Sequence, residues 1–315
     1  MIEHLVISGG GHNVITMCGA ISILKKKNYL DFDTLKSVDA TSAGTILAFA
    51  FLLGMDEDEM ENYLINRPWE KVFNISPDIV FEAFRKKGLF DINVMKEIMN
   101  PIVKSCGVSI DITLGELYDR TDTDFYIYAT ELNNLEMITF SHTTHSDMPV
   151  INAVYLSCAI PPLFKPLTEN NKCFLDGGIF ANYPIDCFLE RMRVDSEMEV
   201  DLSKVFGIKL IYETSEKDII SEESNISDYV FCLIKKLIQN MVIHREDHYN
   251  IPNELIIYSK GISFETLNET IHSTEARDNL VKEGKKYANV YHIYKSKQDE
   301  ESEPLNHLQS VTTSV

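Results

Sequence analysis

The sequence predicts an α/β fold, a mainly parallel central sheet flanked by helices on both faces. Short strand-type runs alternate with longer helical runs along the 315 residues. Two strand-to-helix junctions are made of glycine and other small residues, Ser8-Gly9-Gly10-Gly11 and Ala40-Thr41-Ser42-Ala43-Gly44. No long linker divides the chain. Strands that alternate with helices are joined by crossovers, and crossovers make parallel sheets covered on both faces.

Composition is that of an ordinary globular protein, 44% hydrophobic and 24% charged. The net charge of −19 works against adsorption to anionic lipid, although Lys25-Lys26-Lys27 and Arg85-Lys86-Lys87 form local basic patches. No nucleic-acid partner is expected, and the letters name no protein partner. The longest apolar run, Ala43 to Met55, has the length of a buried helix rather than a bilayer span. The acidic start Met1-Ile2-Glu3 is unlike a signal peptide. Cys18, Cys106, Cys158, Cys173, Cys187 and Cys232 are scattered without metal-ligand spacing, as expected of free thiols in a reducing compartment. The expectation is a cytoplasmic chain that meets membranes, if at all, at their surface.

The first strand, His4 to Ile7, runs into the glycine triplet and then into a helix over about Val14 to Lys25. Uncovered N–H groups at a helix N-terminus bind anions, including the transient oxyanion of acyl transfer. A nucleotide loop is the rival reading. A Walker loop needs Gly-Lys-Ser/Thr after its spacer, and a Rossmann loop needs a small residue where Val14 stands. The chain offers His12-Asn13-Val14 instead, so Gly9, Gly10 and Gly11 are read as an oxyanion hole and no cofactor is expected.

The second strand, Leu35 to Asp39, leads into Ser42 and the helix Gly44 to Leu53. A serine on such a turn is held above the sheet with its hydroxyl displayed, the position of an esterase nucleophile. Ala40 takes the first place of the usual G-x-S-x-G and adds a methyl where the turn is crowded. From about 56 to 121 the chain is largely helical, a cap-like region in which Phe81, Phe84, Leu89 and Phe90 would line an acyl-chain site. Plain packing of these helices on the core is the alternative. The acids Asp56 to Glu59 and Glu61 lack the spacing of a calcium loop and suit the first turn of a helix, so no metal is expected.

Further strands are expected at Phe125–Ala129, Leu135–Phe140, Val205–Tyr212 and Glu254–Ser259. A short strand also ends in Phe174-Leu175-Asp176-Gly177-Gly178, where an acid and two glycines would by themselves read as a tight turn. The apolar stripe from Ile226 to Val242 suits a core-facing helix, or one lying on a membrane. Residues 296–315 are polar and aperiodic and read as a disordered tail, leaving 1–295 as one domain.

Taken in order, the glycine triplet, the serine turn and the later Asp-Gly-Gly resemble the pattern of the patatin-like phospholipases. The stretch Leu156 to Pro166, with Ser157-Cys158-Ala159 before Pro161-Pro162-Leu163-Phe164-Lys165-Pro166, is similar to that family's segment before the aspartate. The resemblance implies a Ser42–Asp176 dyad, with Ala40, Gly44, Gly177 and Gly178 supporting the two turns. It implies cleavage of fatty acyl esters of glycerophospholipids or acylglycerols through an acyl-enzyme, without metal, on membrane or micellar lipid. A transacylase would share the same residues. The family usually places Lys or Arg and then Gly after the triplet, where this chain has Asn13 and Val14. A lipid-binding pseudoenzyme whose oxyanion loop has drifted is therefore the alternative. His12 as a base for Ser42 would invert the usual chain order, and a solvent-facing loop residue is the expectation for it.

Overall fold

The computed structural model describes residues 1–74, 83, 85–169, 171–195, 200–213, 251–259 and 263–302, with single positions between 220 and 236. In chain order its elements are β1 His4–Ile7, α1 Val14–Lys26, β2 Ser37–Thr41, α2 Ala43–Leu52, α3 Glu57–Asn66, α4 Trp69–Val72, α5 Ile92–Ser105, α6 Leu114–Thr121, β3 Asp124–Glu131, β4 Glu136–Phe140, α7 His142–His145, α8 Val150–Ser157, β5 Leu167–Glu169, β6 Lys172–Asp176, α9 Gly178–Ala181, α10 Ile185–Asp195, β7 Val205–Tyr212, β8 Asn253–Ser259, α11 Phe264–His272 and α12 Thr274–Ser302. The strands form one sheet in the order β5-β6-β3-β2-β1-β7-β8, with β4 also on β3. From β8 to β3 the neighbours are parallel. At β3 the sheet turns antiparallel, toward β4 and β6, and β5 continues antiparallel on β6.

The side-chain period of two assigns each strand a partner on each face. Leu5 and Ile7 of β1, Val38 and Ala40 of β2, and Phe125, Ile127 and Ala129 of β3 enter the main core. Val6 points the other way and packs with Ile185, Phe188 and Leu189 of α10. On that second face Asp39 is fully buried, accepting from the Tyr128 hydroxyl at 2.5 Å and the Arg191 guanidinium at 2.7 Å. Arg191 also lies 3.6 Å over the Tyr126 ring. Burial pushes the Asp39 carboxyl up to about 6, against the pull of Arg191.

β3 serves two partners along one edge. Residues Asp124 to Tyr128 pair with β2, and Ala129 to Glu131 pair with β6. The end of β2 and the end of β6 therefore meet on consecutive residues, Thr41 opposite Tyr128 and Asp176 opposite Ala129.

Expected and observed strands coincide for β1 and β7. β2 begins two residues later than the expected Leu35 and runs to Thr41, because its register is set by β1 and β3 rather than by its own mixed letters. Asp56 at the N-cap and Glu57 to Glu59 in the first turn of α3 act as expected of a helix start. The Asp56 carboxylate caps the N–H groups of Asp58 and Glu59. Lys25 and Lys26 are tied to Glu57 and Asp58 at 2.9 and 2.7 Å, so that patch is not a free basic surface. α12 continues to Ser302, past the Ser296 boundary expected for the tail, and the rest of the tail lies outside the described residues. Phe81, Phe84 and most of the Ile226–Val242 stripe also lie outside them. Among the described residues no helix is long and apolar enough to cross a membrane.

Helices α1 and α12 approach closely enough to need glycine on both. A Cβ at Gly284 would run into the Thr16 carbonyl, and one at Gly19 into the Val281 carbonyl. Backbone cannot give way as a flexible side chain can. Gly284→Ala should therefore cost roughly 1–3 kcal/mol. Thermal unfolding should register this as a melting point lowered by several degrees, and an unchanged one would contradict the close packing.

Candidate active site

Ser42 stands between β2 and α2 with φ 51° and ψ −133°, a backbone conformation unfavourable for a residue with a Cβ. Such strain persists only where surroundings over-determine it, and here they do. The Ser42 N–H donates to the Ser157 hydroxyl at 2.8 Å, and that hydroxyl donates to the Tyr128 carbonyl at 2.6 Å. The Ser42 carbonyl accepts from the Thr45 N–H and hydroxyl. Gly44 is required because a Cβ there would strike the Ser8 carbonyl at the end of β1. Ala40 is fully buried in the regular part of β2, paired with Ile7 and Ile127, two residues before Ser42.

The Ser42 hydroxyl donates to Asp176 Oδ2 at 2.6 Å. Residues 134 apart in sequence are joined here because β2 and β6 end side by side on β3. The other oxygen of Asp176 accepts the Gly178 N–H at 2.7 Å, and its carbonyl accepts the Thr130 hydroxyl at 2.8 Å. A Cβ at Gly177 would strike the Tyr128 carbonyl, and one at Gly178 would crowd Asp176 Oδ1 at 2.9 Å. Asp176 is only 3% exposed. Burial pushes its carboxyl up to about 6, more than the Ser42 and Gly178 hydrogen bonds pull it down.

The three loop glycines differ in what they do. Gly9 spends its N–H on the Asn182 carbonyl at 2.8 Å, which removes it from the expected set of oxyanion donors. Its small size still matters, since a Cβ would lie 2.7 Å from Asn182 Oδ1 and 3.0 Å from Ser42 Cβ. Gly10 and Gly11 line the cavity beside Ser42, and Gly11 has φ +53°. The loop and the aspartate turn are thus held together through Asn182, and Thr41 joins them by donating to the Ala181 carbonyl at 2.8 Å.

His12 departs from the expectation of a solvent-facing residue. It lines the same cavity, with Nδ1 buried and without a hydrogen-bond partner among the described residues. Desolvation lowers its pKa to about 4, which makes it a poor proton acceptor. The Ser42 proton is directed at Asp176 instead.

The dyad opens into a cavity of about 540 Å3, walled chiefly by apolar groups such as Ile15, Ile46, Leu64, Trp69, Phe90 and Met95. The 56–121 region supplies much of this wall, Phe90 included, whereas Leu89 does not reach it. α11 closes another side with Leu267 and Ile271. Cys158 is a buried thiol in the same lining, raised well above the usual thiol range first by desolvation and then by the Asp176 charge. All six cysteines are free, with Cys18 and Cys158 buried.

Sequence reasoning gave no role to Ser157, Asn182 or Tyr212, although all three serve the site. Ser157 lies within the segment before the aspartate, its only signal, and Asn182 lies four residues past the Asp-Gly-Gly turn. Tyr212, at the end of β7, reaches the cavity through the strand order alone.

The sequence is matched over residues 5–189 by the family model described as patatin-like phospholipase. It is 24% identical over 217 residues to a probable lipid hydrolase of Invertebrate iridescent virus 6, covering 68% of this chain and 72% of that one. It is 25% identical over 198 residues to the omega-hydroxyceramide transacylase of Mus musculus, covering 60% of this chain but 29% of that longer protein. In fold it is similar to VipD from Legionella pneumophila, with a TM-score of 0.52, 18% identity, and coverage of 94% of this chain and 67% of that one. The serine turn, the Asp-Gly-Gly strand end and the glycine loop all fall within the matched residues, and the chain belongs to the patatin-like phospholipase family, a family of lipid hydrolases.

Proposed function

We propose that the chain is a lipid acyl hydrolase that works through a Ser42–Asp176 dyad and an acyl-enzyme. The observation that carries this reading is the 2.6 Å hydrogen bond from the Ser42 hydroxyl to a buried carboxylate at the edge of an apolar cavity. In the first half-reaction Ser42 Oγ attacks the ester carbonyl carbon while its proton passes to Asp176 Oδ2. The carbonyl oxygen becomes an oxyanion facing the N–H groups of the glycine loop. As the tetrahedral intermediate collapses, Asp176 returns the proton to the leaving alcohol. In the second half-reaction Asp176 takes a proton from water as the water oxygen attacks the acyl-Ser42 carbon, then returns that proton to Ser42 Oγ as the C–O bond breaks and the fatty acid leaves.

The cavity suits one acyl chain, since its volume and apolar lining fall in the range of small-molecule sites. Fatty acyl esters of glycerophospholipids or acylglycerols are the substrate class, presented by a membrane or micelle. Transfer to an alcohol instead of water needs only a different second acceptor, and the likeness to a transacylase keeps that outcome within reach of the same dyad. The intact serine–aspartate bond favours these readings over a lipid-binding pseudoenzyme.

Two expectations follow. A general base contributes about 10² to 10⁴ in rate, so Asp176→Asn should lose at least that much fatty acid release from mixed phospholipid micelles, and Ser42→Ala all of it. Both variants should stay folded by circular dichroism, and normal release by either would remove the dyad. Asp176 acts as base only when ionised, and its carboxyl is raised to about 6. The kcat/KM profile should therefore climb as pH rises through about 6 and level off above it. A profile that stays level down to the ordinary carboxylate range, about 4, would contradict the buried base.

A further inference from the structure

The position that usually carries Lys or Arg in this family holds Asn13, and the structure gives it a definite occupation. Asn13 is 3% exposed at the junction of the glycine loop and α1. Its Nδ2 donates to the Gly10 carbonyl at 3.1 Å, and its Oδ1 accepts from the Ser259 hydroxyl at 2.9 Å. The bond to Gly10 fixes the amide orientation, since turning it over would set the Asn13 oxygen against the Gly10 oxygen, two acceptors with no proton between them. The Asn13 backbone N–H reaches the same Gly10 carbonyl at 3.0 Å, so that oxygen accepts two hydrogen bonds. Ser259 ends β8, in register with Tyr212, and its own carbonyl accepts the Glu213 N–H at 2.7 Å. The clamp therefore reaches from the loop across β7 to the neighbouring strand end.

A planar trans peptide couples the two ends of the Gly10–Gly11 unit. When its C=O is drawn toward Asn13, its N–H must point the opposite way. Gly10 and Gly11 line the cavity that holds Ser42, and Asn13 does not. We propose that Asn13 and Ser259 are positioning residues that lock the Gly10–Gly11 peptide with its N–H aimed at the oxyanion site. The proposal rests on the hydrolase reading above. It implies that the loop stabilises the oxyanion by a pre-aimed dipole, which needs no reorganisation when charge develops.

Misaiming a donor near the reacting centre costs up to about a hundredfold. The test compares wild type with Asn13→Ala, Ser259→Ala and Ser259→Thr on a soluble p-nitrophenyl acyl ester, together with inhibition by an alkyl trifluoromethyl ketone. Ser42 Oγ adds to that ketone carbon, its proton goes to Asp176, and the ketone oxygen becomes a stable oxyanion. Asn13→Ala should lower kcat roughly ten- to a hundredfold with KM unchanged, and should weaken the ketone by the same factor. Ser259→Ala should show a smaller loss of the same kind, and Ser259→Thr, which keeps the hydroxyl, should restore it. Ser259 is only part-buried, so its variants remain informative even if Asn13→Ala fails to fold. Wild-type kcat in Ser259→Ala, or a loss that appears in KM and spares the ketone, would overturn the clamp while leaving the hydrolase standing. A wild type that neither turns over nor takes up the ketone would remove the hydrolase reading, and the clamp's catalytic role with it.

Discussion

Strand β3 is the constraint on which the site depends. Its residues Tyr128 and Ala129 are adjacent, yet one pairs with the last residue of β2 and the other with the last residue of β6. Two chain segments that approach from opposite directions are thus stopped next to one another, one ending in Asp176 and the other followed directly by Ser42. The Tyr128 carbonyl then becomes a shared fixture. It accepts the Ser157 hydroxyl that holds the Ser42 amide, and it leaves room at position 177 only for glycine. The same residue is anchored from the opposite face, where its hydroxyl meets Asp39 and, through it, Arg191. Removing one member of such a buried pair leaves an uncompensated charge, so this ion pair ties the second face of the sheet to the position of Ser42.

The chemistry follows from desolvation as much as from placement. A carboxylate in water is too weak a base for a serine hydroxyl. Burial raises Asp176, while its hydrogen bonds to Ser42 and Gly178 keep the ionised form accessible near neutral pH. In the proposed reaction the cavity wall that desolvates it would also hold the acyl chain. The glycine loop lines the same cavity as this acid, and its neighbour His12 is held neutral by burial.

Much of this was legible in the sequence because it is local. A strand, three glycines and a helix announce an anion-binding turn, and a serine between strand and helix announces an elbow. β1 and β7 were readable as mainly apolar runs, interrupted only by His4 in β1 and by Gly207 and Lys209 in β7, as expected of strands covered on both faces. What could not be read depends on contacts distant in the chain. The antiparallel part of the sheet, including the three-residue β5, follows from pairings with β3 and β6 rather than from its own letters. The loss of Gly9 as a donor depends on the Asn182 carbonyl, 173 residues away, just as the role of Ser157 depends on Ser42, 115 away. Asn13 was visible as a departure from the family pattern, but the Ser259 hydroxyl that explains it lies on the far strand β8.

The most direct test of the dyad is covalent labelling of the native protein with a fluorophosphonate, followed by peptide mapping of the adduct by mass spectrometry. The account predicts a single adduct on Ser42, formed at a rate that falls sharply when Asp176 is replaced by Asn. A folded wild-type protein that takes up no label, or takes it up on another residue, would contradict it.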